Sequence, residues 1–381
     1  MIFSFILYFF FFLGLFYLDN IKNKKKKSFF LFFLYVFLCF GYMTGSDWRY
    51  YELDFRESNL LVNYNDYDKG FWLVYYLLSK ISSDFFVAVA ILKCIYLYSL
   101  IYAFKKISDH WMAAMGIMFT MILFMIVDNP LRFMVANIFI NFAIPYAFAK
   151  KLKKFLLISL WAVFFHMTSI FPILLLLLGF LRIPIEKVNK HTIFLIYIVI
   201  AIICSDEMFI SEIFNNAQFF LNYVGDTRNY ESYSVESNES FFTIGSALKV
   251  FLAAIIIYNR DKVISMKNGN QIYFYSILYL IIGRVILLIP TGFRMVIPLS
   301  FFYSAAFAYL IMENKAKIMK YCFIALFSLT LFRTLNNTYV YIPYSNSIYY
   351  ILTKHKPFVE RSNYNFDSYK ERTGKSVGDK N

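Results

Sequence analysis

The sequence carries little charge and few cysteines. Charged residues occupy 16% of its 381 positions, whereas soluble globular domains carry about 25%. The four cysteines lie inside or at the ends of apolar stretches, without a Cys-x-x-Cys or His-x-x-x-His spacing: Cys39, Cys94, Cys204 and Cys322. We therefore predict no metal site and no disulfide framework, and the low charge argues against a soluble domain.

Two common motifs of enzymes and pumps are missing as well. The sequence has no Walker-A loop and no Gly-x-Ser-x-Gly turn. Because these motifs bind the phosphates of a nucleotide or expose a nucleophilic serine, ATP-driven transport and serine hydrolase chemistry lose support. No cofactor is predicted.

Apolar residues dominate instead. They make up 60% of the chain, and the mean hydropathy is +0.56. Apolar runs of about 17 to 20 residues, long enough to cross a bilayer, recur along the whole length. We predict an all-α polytopic integral membrane protein with about 12 transmembrane helices around an outward-facing cavity. Residues 1–335 would form one transmembrane domain with outer loops 45–69 and 205–240, and residues 336–381 a polar C-terminal tail.

The positive charges indicate the orientation. The net charge is +14, but the lysines cluster in short segments between apolar runs, such as 24–27 and 150–154. This is the pattern of cytoplasmic loops, so we predict a bilayer environment and no nucleic-acid partner. The uncharged first span precedes its lysines, which places the N-terminus outside. The tail falls on the predicted outer side although it is basic, so its side stays open.

One apolar run is too long for one span and too short for two. Phe155 to Leu181 lies between two basic segments that both belong inside, which requires an even number of crossings. As a helix the run covers about 40 Å, and two full spans need about 60 Å. We therefore predict two short helices that meet near His166 to Ser169, at a turn surrounded by protein rather than lipid.

The first polar insertion, Gly41 to Leu73, carries charges and phenols between apolar spans and predicts the mouth of a site. Asp47 is a candidate base or a ligand of a sugar hydroxyl; alternatively it pairs with Arg49 or caps a helix. Together with Arg49, the phenols of Tyr50 and Tyr51 are candidates for sugar binding, although interfacial aromatic belts explain such residues equally well.

Three arginines at predicted outer helix ends are candidates for binding phosphate. Arg132 follows Asn-Pro at the start of a span, where the helix dipole favours an anion beside it. Arg294 opens a later span, and Arg284 lies about 7 Å below the outer surface, at the same rim as Arg294. The alternatives are snorkelling to lipid headgroups for Arg132 and pairing with acidic side chains for the other two.

His166 is the remaining candidate. It lies in the predicted turn, within an apolar run and away from basic segments. It can act as a base or hydrogen-bond a phosphate; a buried polar residue that simply satisfies its neighbours is the alternative.

The order of these motifs resembles that of the EpsG-like, Wzy-type polysaccharide polymerases. Residues 45–51 read Gly-Ser-Asp-Trp-Arg-Tyr-Tyr and residues 69–71 read Lys-Gly-Phe, similar to that family's Gly-x-Asp…Tyr and later Gly-Phe. Its Arg-x-x-x-Ala…Lys-Lys…Ala-x-x-x-His-x-Ser/Thr-Ser/Ala run matches residues 132–136, 150–154 and 162–169. Ser46 stands where the family often has threonine, and Lys69 where it has an acidic residue or proline.

The resemblance implies a membrane glycosyltransferase in the bacterial cytoplasmic (inner) membrane. Such proteins join oligosaccharide repeat units carried on undecaprenyl diphosphate into O-antigen, capsule or exopolysaccharide, alongside a flippase and a chain-length regulator. The three arginines would then bind the diphosphate, and His166 or Asp47 would act as the base. The alternatives are a lipid-linked oligosaccharide flippase, a glycan ligase and a membrane O-acyltransferase.

Overall fold

The computed structural model describes residues 2–45, 47–57, 69–122, 126–127, 130–181, 183–205, 243–286, 293–337 and 341–373. Within these ranges the regular structure is α-helical, apart from short 3-10 turns and one two-stranded ribbon. The predicted all-α class is therefore confirmed. Nearly all of the predicted outer loop 205–240 lies outside the described residues, as do residues 46 and 58–68 of the first loop.

The elements are named here in chain order. The first half contains α1 (Ile2–Asp19), α2 (Lys24–Cys39), β1 (Gly41–Tyr42), α3 (Trp48–Glu57), α4 (Lys69–Ile81), α5 (Phe85–Ile107), α6 (Trp111–Ile122), α7 (Leu131–Phe148), α8 (Leu152–Phe165) and α9 (Ile170–Leu178). The second half contains α10 (Lys190–Ile203), α11 (Ile244–Tyr258), α12 (Arg260–Ile264), α13 (Gly269–Ile286), α14 (Phe293–Met312), α15 (Lys317–Asn337), β2 (Ser345–Asn346), α16 (Ser347–Leu352) and α17 (Phe358–Thr373).

Five helices among the described residues are long and apolar enough to cross a membrane: α1, α5, α7, α14 and α15. Shorter apolar helices, such as α10 and α11, accompany them. The chain is thus a membrane protein with several apolar helices, and the figure of about 12 spans stays a prediction.

Helix α14 forms the centre of the bundle. In its apolar window 83% of the residues are buried, against 22% for α15, which places α15 at the lipid-facing periphery. Helix α14 packs against α5, α6, α7, α9, α13 and α15. Its buried positions include small residues, which let neighbouring backbones approach closely: Ser300, Ser304, Ala305, Ala306 and Ala308.

The predicted break near His166 is confirmed. Helix α8 ends at Phe165, His166 is extended with φ −161°, and a 3-10 turn over Met167–Ser169 leads into α9. Pro172 lies in the first turn of α9, where its missing N–H needs no partner from the preceding turn. A continuous helix through this position would instead lose a hydrogen bond.

The C-terminal tail folds back onto the first polar insertion. Strand β2 pairs antiparallel with β1, and Gly41 faces Asn346. Further along, the guanidinium of Arg361 on α17 donates to both carboxylate oxygens of Glu52 on α3, and both side chains are buried. The tail and the first insertion therefore lie on the same face of the bundle.

Candidate functional site

The site begins where the chain turns from β1 into α3. Gly45 has φ 88°, a left-handed conformation that side chains disfavour. The turn brings Asp47 to the start of α3, where its carbonyl accepts a hydrogen bond from the Tyr51 N–H at 3.3 Å. The glycine of the Gly-x-Asp motif is thus required by backbone geometry, and it aims the aspartate at the bundle.

Asp47 contacts the first turn of the central helix. Its Oδ2 lies 3.7 Å from Nη2 of Arg294, and the two side chains are 32% and 28% exposed. The pair is open enough to be reached by a ligand. The contact joins two residues that the sequence analysis proposed separately.

Tyr51 connects this pair to α7. It is 7% exposed, and its hydroxyl accepts a hydrogen bond from Arg132. Burial raises the pKa of the Tyr51 phenol, as does the nearby Asp47 carboxylate, while Arg132 and Arg294 oppose the rise. The net shift is upward, so the phenol stays neutral at physiological pH. Two guanidinium groups, a carboxylate and a phenol therefore meet at one place, which we call the Asp47 cluster: Asp47, Tyr51, Arg132 and Arg294.

His166 contacts the residue that follows Arg132 on α7. Its ring packs edge-on against that of Phe133, with centroids 6.0 Å apart, and Phe133 follows Arg132 on α7. The α8 end that carries His166 is supported by α4, because Gly70 lies against Phe164. A methyl group at Gly70 would come within 2.6 Å of the Phe164 carbonyl oxygen. The glycine of the Lys-Gly-Phe motif thus permits a close helix contact next to the site.

The neighbouring candidates for sugar binding differ in their surroundings. Arg49 donates to the Ser362 carbonyl through Nε at 3.0 Å and Nη2 at 2.6 Å, and it lies over the rings of Trp48 and Phe366. Arg49 therefore connects α3 to the tail. Tyr50 is 75% exposed at the surface. Sugar binding by either residue stays a prediction.

Arg284 takes part in different contacts from Arg294. Its Nε and Nη2 donate to the Tyr197 hydroxyl at 3.0 and 2.9 Å, and its guanidinium lies over the Tyr197 ring. It lines a cavity together with Lys249 and Arg333. The sequence predicts one shared rim for Arg284 and Arg294, but Arg284 lines the cavity and Arg294 belongs to the Asp47 cluster. Phosphate binding by Arg284 stays a prediction.

Sequence reasoning missed Lys249, Arg333 and the Glu52–Arg361 pair. Lys249 and Arg333 lie inside predicted spans, and a charge within an apolar span is itself a signal of a cavity or partner. The Glu52–Arg361 pair has no such signal, because its members lie far apart in the sequence.

The described residues contain no group of three His, Cys, Asp or Glu side chains that could hold a metal ion. The two aspartates of the Asp-x-Asp pair in the sequence, Asp66 and Asp68, lie outside the described residues.

The chain matches the model of a known protein family. The model of the EpsG family matches residues 27–346, a range that contains the Asp47 cluster, His166 and Arg284. Neither curated proteins nor solved structures gave a significant match.

Proposed function

The chain belongs to the EpsG family, whose members are polysaccharide polymerase-like membrane proteins, and from this premise we propose that it is a membrane glycosyltransferase. It joins undecaprenyl-diphosphate-linked oligosaccharide repeat units into a surface polysaccharide. The reaction takes place at the outer face of the bacterial cytoplasmic membrane, with the N-terminus on that side.

The observation that supports the proposal most is the convergence of Arg132 and Arg294 on Tyr51 and Asp47. Arginine matches phosphate oxygens in a bidentate geometry and keeps its charge at any physiological pH. Two guanidinium groups at the ends of α7 and α14 can hold a diphosphate between them. In that position they stabilise the negative charge that develops when the diphosphate leaves.

The residues of the cluster account for the charge and the proton that move in the transfer. The bond between the anomeric carbon and the diphosphate oxygen breaks, and its electron pair stays on the lipid diphosphate. The hydroxyl oxygen of the acceptor sugar forms the new bond to carbon. Its proton passes to Asp47, because the bound diphosphate competes with that carboxylate for Arg294 and frees it to act as the base. His166, beside Phe133, hydrogen-bonds a phosphate oxygen.

The test is the length distribution of the surface polysaccharide in a strain that lacks the gene. The strain is complemented with the wild type, with Arg132→Ala, or with Lys356→Ala as a control. The Lys356 side chain is 40% exposed on the tail, and its ammonium pairs with Glu360, one helical turn away, at 2.7 Å. Membrane levels of each variant are checked by immunoblot.

The proposal predicts single repeat units on the surface of the deletion strain and of the Arg132→Ala strain, and full chains with the control. Loss of all surface glycan, single units included, would indicate a flippase or a ligase. Chains of normal length that lack only a decoration would indicate an acyltransferase. Normal chains in the Arg132→Ala strain would overturn the assignment of the site.

A further inference from the structure

A cavity of about 580 Å³ lies between α6, α10, α11, α13, α14 and α15. Its walls are mainly apolar, with contributions from Leu252, Leu280 and Phe327. The floor on α14 includes Val296 and Ile297, two and three residues after Arg294. That separation is about 3 to 4.5 Å along the helix, so the cavity and the cluster share one helix end.

Three cations enter this apolar space. Lys249 lies near the start of α11, Arg284 near the end of α13 and Arg333 near the end of α15. None of the described residues that line the cavity is Asp or Glu, so this described part of its lining carries a net positive charge. Cationic side chains within a membrane protein are costly and face a cavity or partner, and this cavity is suited to an anion.

Two of the three cationic side chains are positioned by contacts with their neighbours. The Tyr197 hydroxyl accepts two hydrogen bonds from Arg284. Arg333 passes close to Gly245, where a methyl group would come within 2.7 Å of its Nη1. The glycine therefore leaves room for the guanidinium, and the two arginines reach the cavity from opposite helices.

Exposed apolar side chains lie at and beside the cavity. Leu329 lines it and is nevertheless 66% exposed, and Phe251 on the adjoining helix is 55% exposed. Helix α11 packs against α10 and α13, whereas α15 packs against α1, α6 and α14. Exposed apolar side chains of α11 and α15 therefore lie on the side of the cavity that these two helices form.

A cationic pocket bordered by exposed apolar side chains fits an anion attached to a long hydrocarbon chain. We propose that the cavity binds the phosphate or diphosphate head of a polyprenyl lipid, whose chain leaves between α11 and α15. Lys249, Arg284 and Arg333 contact the head, and Leu329 lines the exit.

The chemistry of the lining assigns a role to this lipid, and this step rests on the proposed function. Among the described lining residues there is no carboxylate and no histidine, so the cavity offers no base there. It is suited to a diphosphate that stays intact, namely that of the acceptor. The donor, whose diphosphate leaves, occupies the Asp47 cluster at the start of α14.

The test is direct binding to the purified full chain in nanodiscs, measured by native mass spectrometry. The probes are undecaprenyl diphosphate, undecaprenyl phosphate, undecaprenol without a phosphate, and inorganic pyrophosphate. The variants are Arg333→Gln and Gly283→Phe. Gly283 lines the cavity and a Cβ there meets nothing within 4 Å, so the aromatic ring fills the space while the three cations remain. Lys262→Gln, exposed at the opposite end of the bundle, is the control.

We expect the wild type and the control to bind two equivalents of undecaprenyl diphosphate. Arg333→Gln should weaken one equivalent at least about tenfold, as expected for the loss of a charge-assisted contact, and Gly283→Phe should abolish it. Binding of pyrophosphate as tight as that of the lipid would mean a free-anion site and overturn the lipid assignment. Equal binding of undecaprenol would overturn the role of the cations.

The two proposals fail separately. Two unchanged equivalents in both Arg333→Gln and Gly283→Phe would overturn the cavity assignment and leave the chain-length experiment untouched. Normal polysaccharide length in the Arg132→Ala strain would overturn the proposed function, while the loss of one lipid equivalent in the cavity variants would still stand. Thermal unfolding shows whether each variant is folded. Because Arg333→Gln removes a charge and Gly283→Phe fills space, one folded variant is enough to test the cavity assignment.

Discussion

The Asp47 cluster and the cavity both present arginines at the same end of the bundle, but they differ in what accompanies the charge. In the cluster, Arg132 and Arg294 meet a carboxylate and a neutral phenol, with a histidine close by. In the cavity, Arg284 and Arg333 meet tyrosines and aliphatic side chains. The first set can both hold an anion and move a proton, whereas the second can only hold an anion.

The two regions are also supported differently. The cluster depends on α3, which belongs to the first polar insertion. The ion pair of Glu52 and Arg361 connects α3 to the tail. The described lining of the cavity comes from apolar helices of the bundle and includes no residue of α3 or the tail. A change in the tail should therefore reach the cluster and spare the cavity.

The largest effect is expected at Asp47. Asp47→Asn keeps the size of the side chain but removes its basicity, so the rate of linkage formation should fall about 10²- to 10⁴-fold. The measurement is polymer formed per unit time by purified chain from lipid-linked repeat units. Binding of undecaprenyl diphosphate in the cavity should not change. A rate within twofold of the wild type would remove Asp47 from the role of base.

Arg361→Gln should come next. It leaves Glu52 as a buried carboxylate with one of its ion pairs gone, which costs about 3 to 5 kcal/mol when such a pair is broken. We expect faster hydrogen exchange in α3 and α17, and a loss of polymerisation without loss of the cavity lipid. The control is Lys356→Gln, whose exposed pair contributes little. Unchanged exchange would show that the tail does not hold α3.

Arg333→Gln should affect a different kinetic constant. Because Arg333 contacts a diphosphate that stays intact, its loss weakens binding of the acceptor equally in the ground state and transition state. The KM for the acceptor should rise about tenfold while kcat changes little. A fall in kcat at unchanged KM would instead place Arg333 at the reacting bond.

The smallest effect is expected from Tyr51→Phe. The change removes the hydroxyl that accepts from Arg132 but keeps the ring, which packs against that of Phe71 at 5.7 Å. A hydrogen bond to a charged group contributes at least about 1.5 kcal/mol, so kcat should fall about tenfold. Tyr321→Phe, exposed at the other end of the bundle, serves as the comparison. A loss as large as that of Asp47→Asn would mean that the phenol itself transfers a proton.

Features that depend on local chemistry could be predicted from the sequence. The break at His166 follows from two basic segments and the length of a helix, and the start of α7 at Leu131 follows from Pro130. Asp47, Arg132 and Arg294 were recognised because each is a charge at a helix end next to an apolar span. Their meeting could not be derived, because it depends on how α3 and α7 pack around α14.

Features that depend on distant partners were missed. The contact of Arg49 with the Ser362 carbonyl could not be derived, because Ser362 lies far away in the tail. The polar tail itself has no apolar run, so its strand and two helices gave no signal. Arg284 and Arg294 are close in sequence, yet Arg284 turns toward Tyr197 on α10, a contact that helical rise alone does not reveal.

The most direct test of the account is the release of undecaprenyl diphosphate by purified chain supplied with undecaprenyl-diphosphate-linked repeat units. The wild type should release one lipid diphosphate for each linkage formed. Arg294→Gln should release it at least about 10²-fold more slowly, because the developing charge loses a donor, whereas Arg333→Gln should approach the wild-type rate at saturating acceptor. Equal release by Arg294→Gln and the wild type would contradict the assignment of the Asp47 cluster as the reacting site.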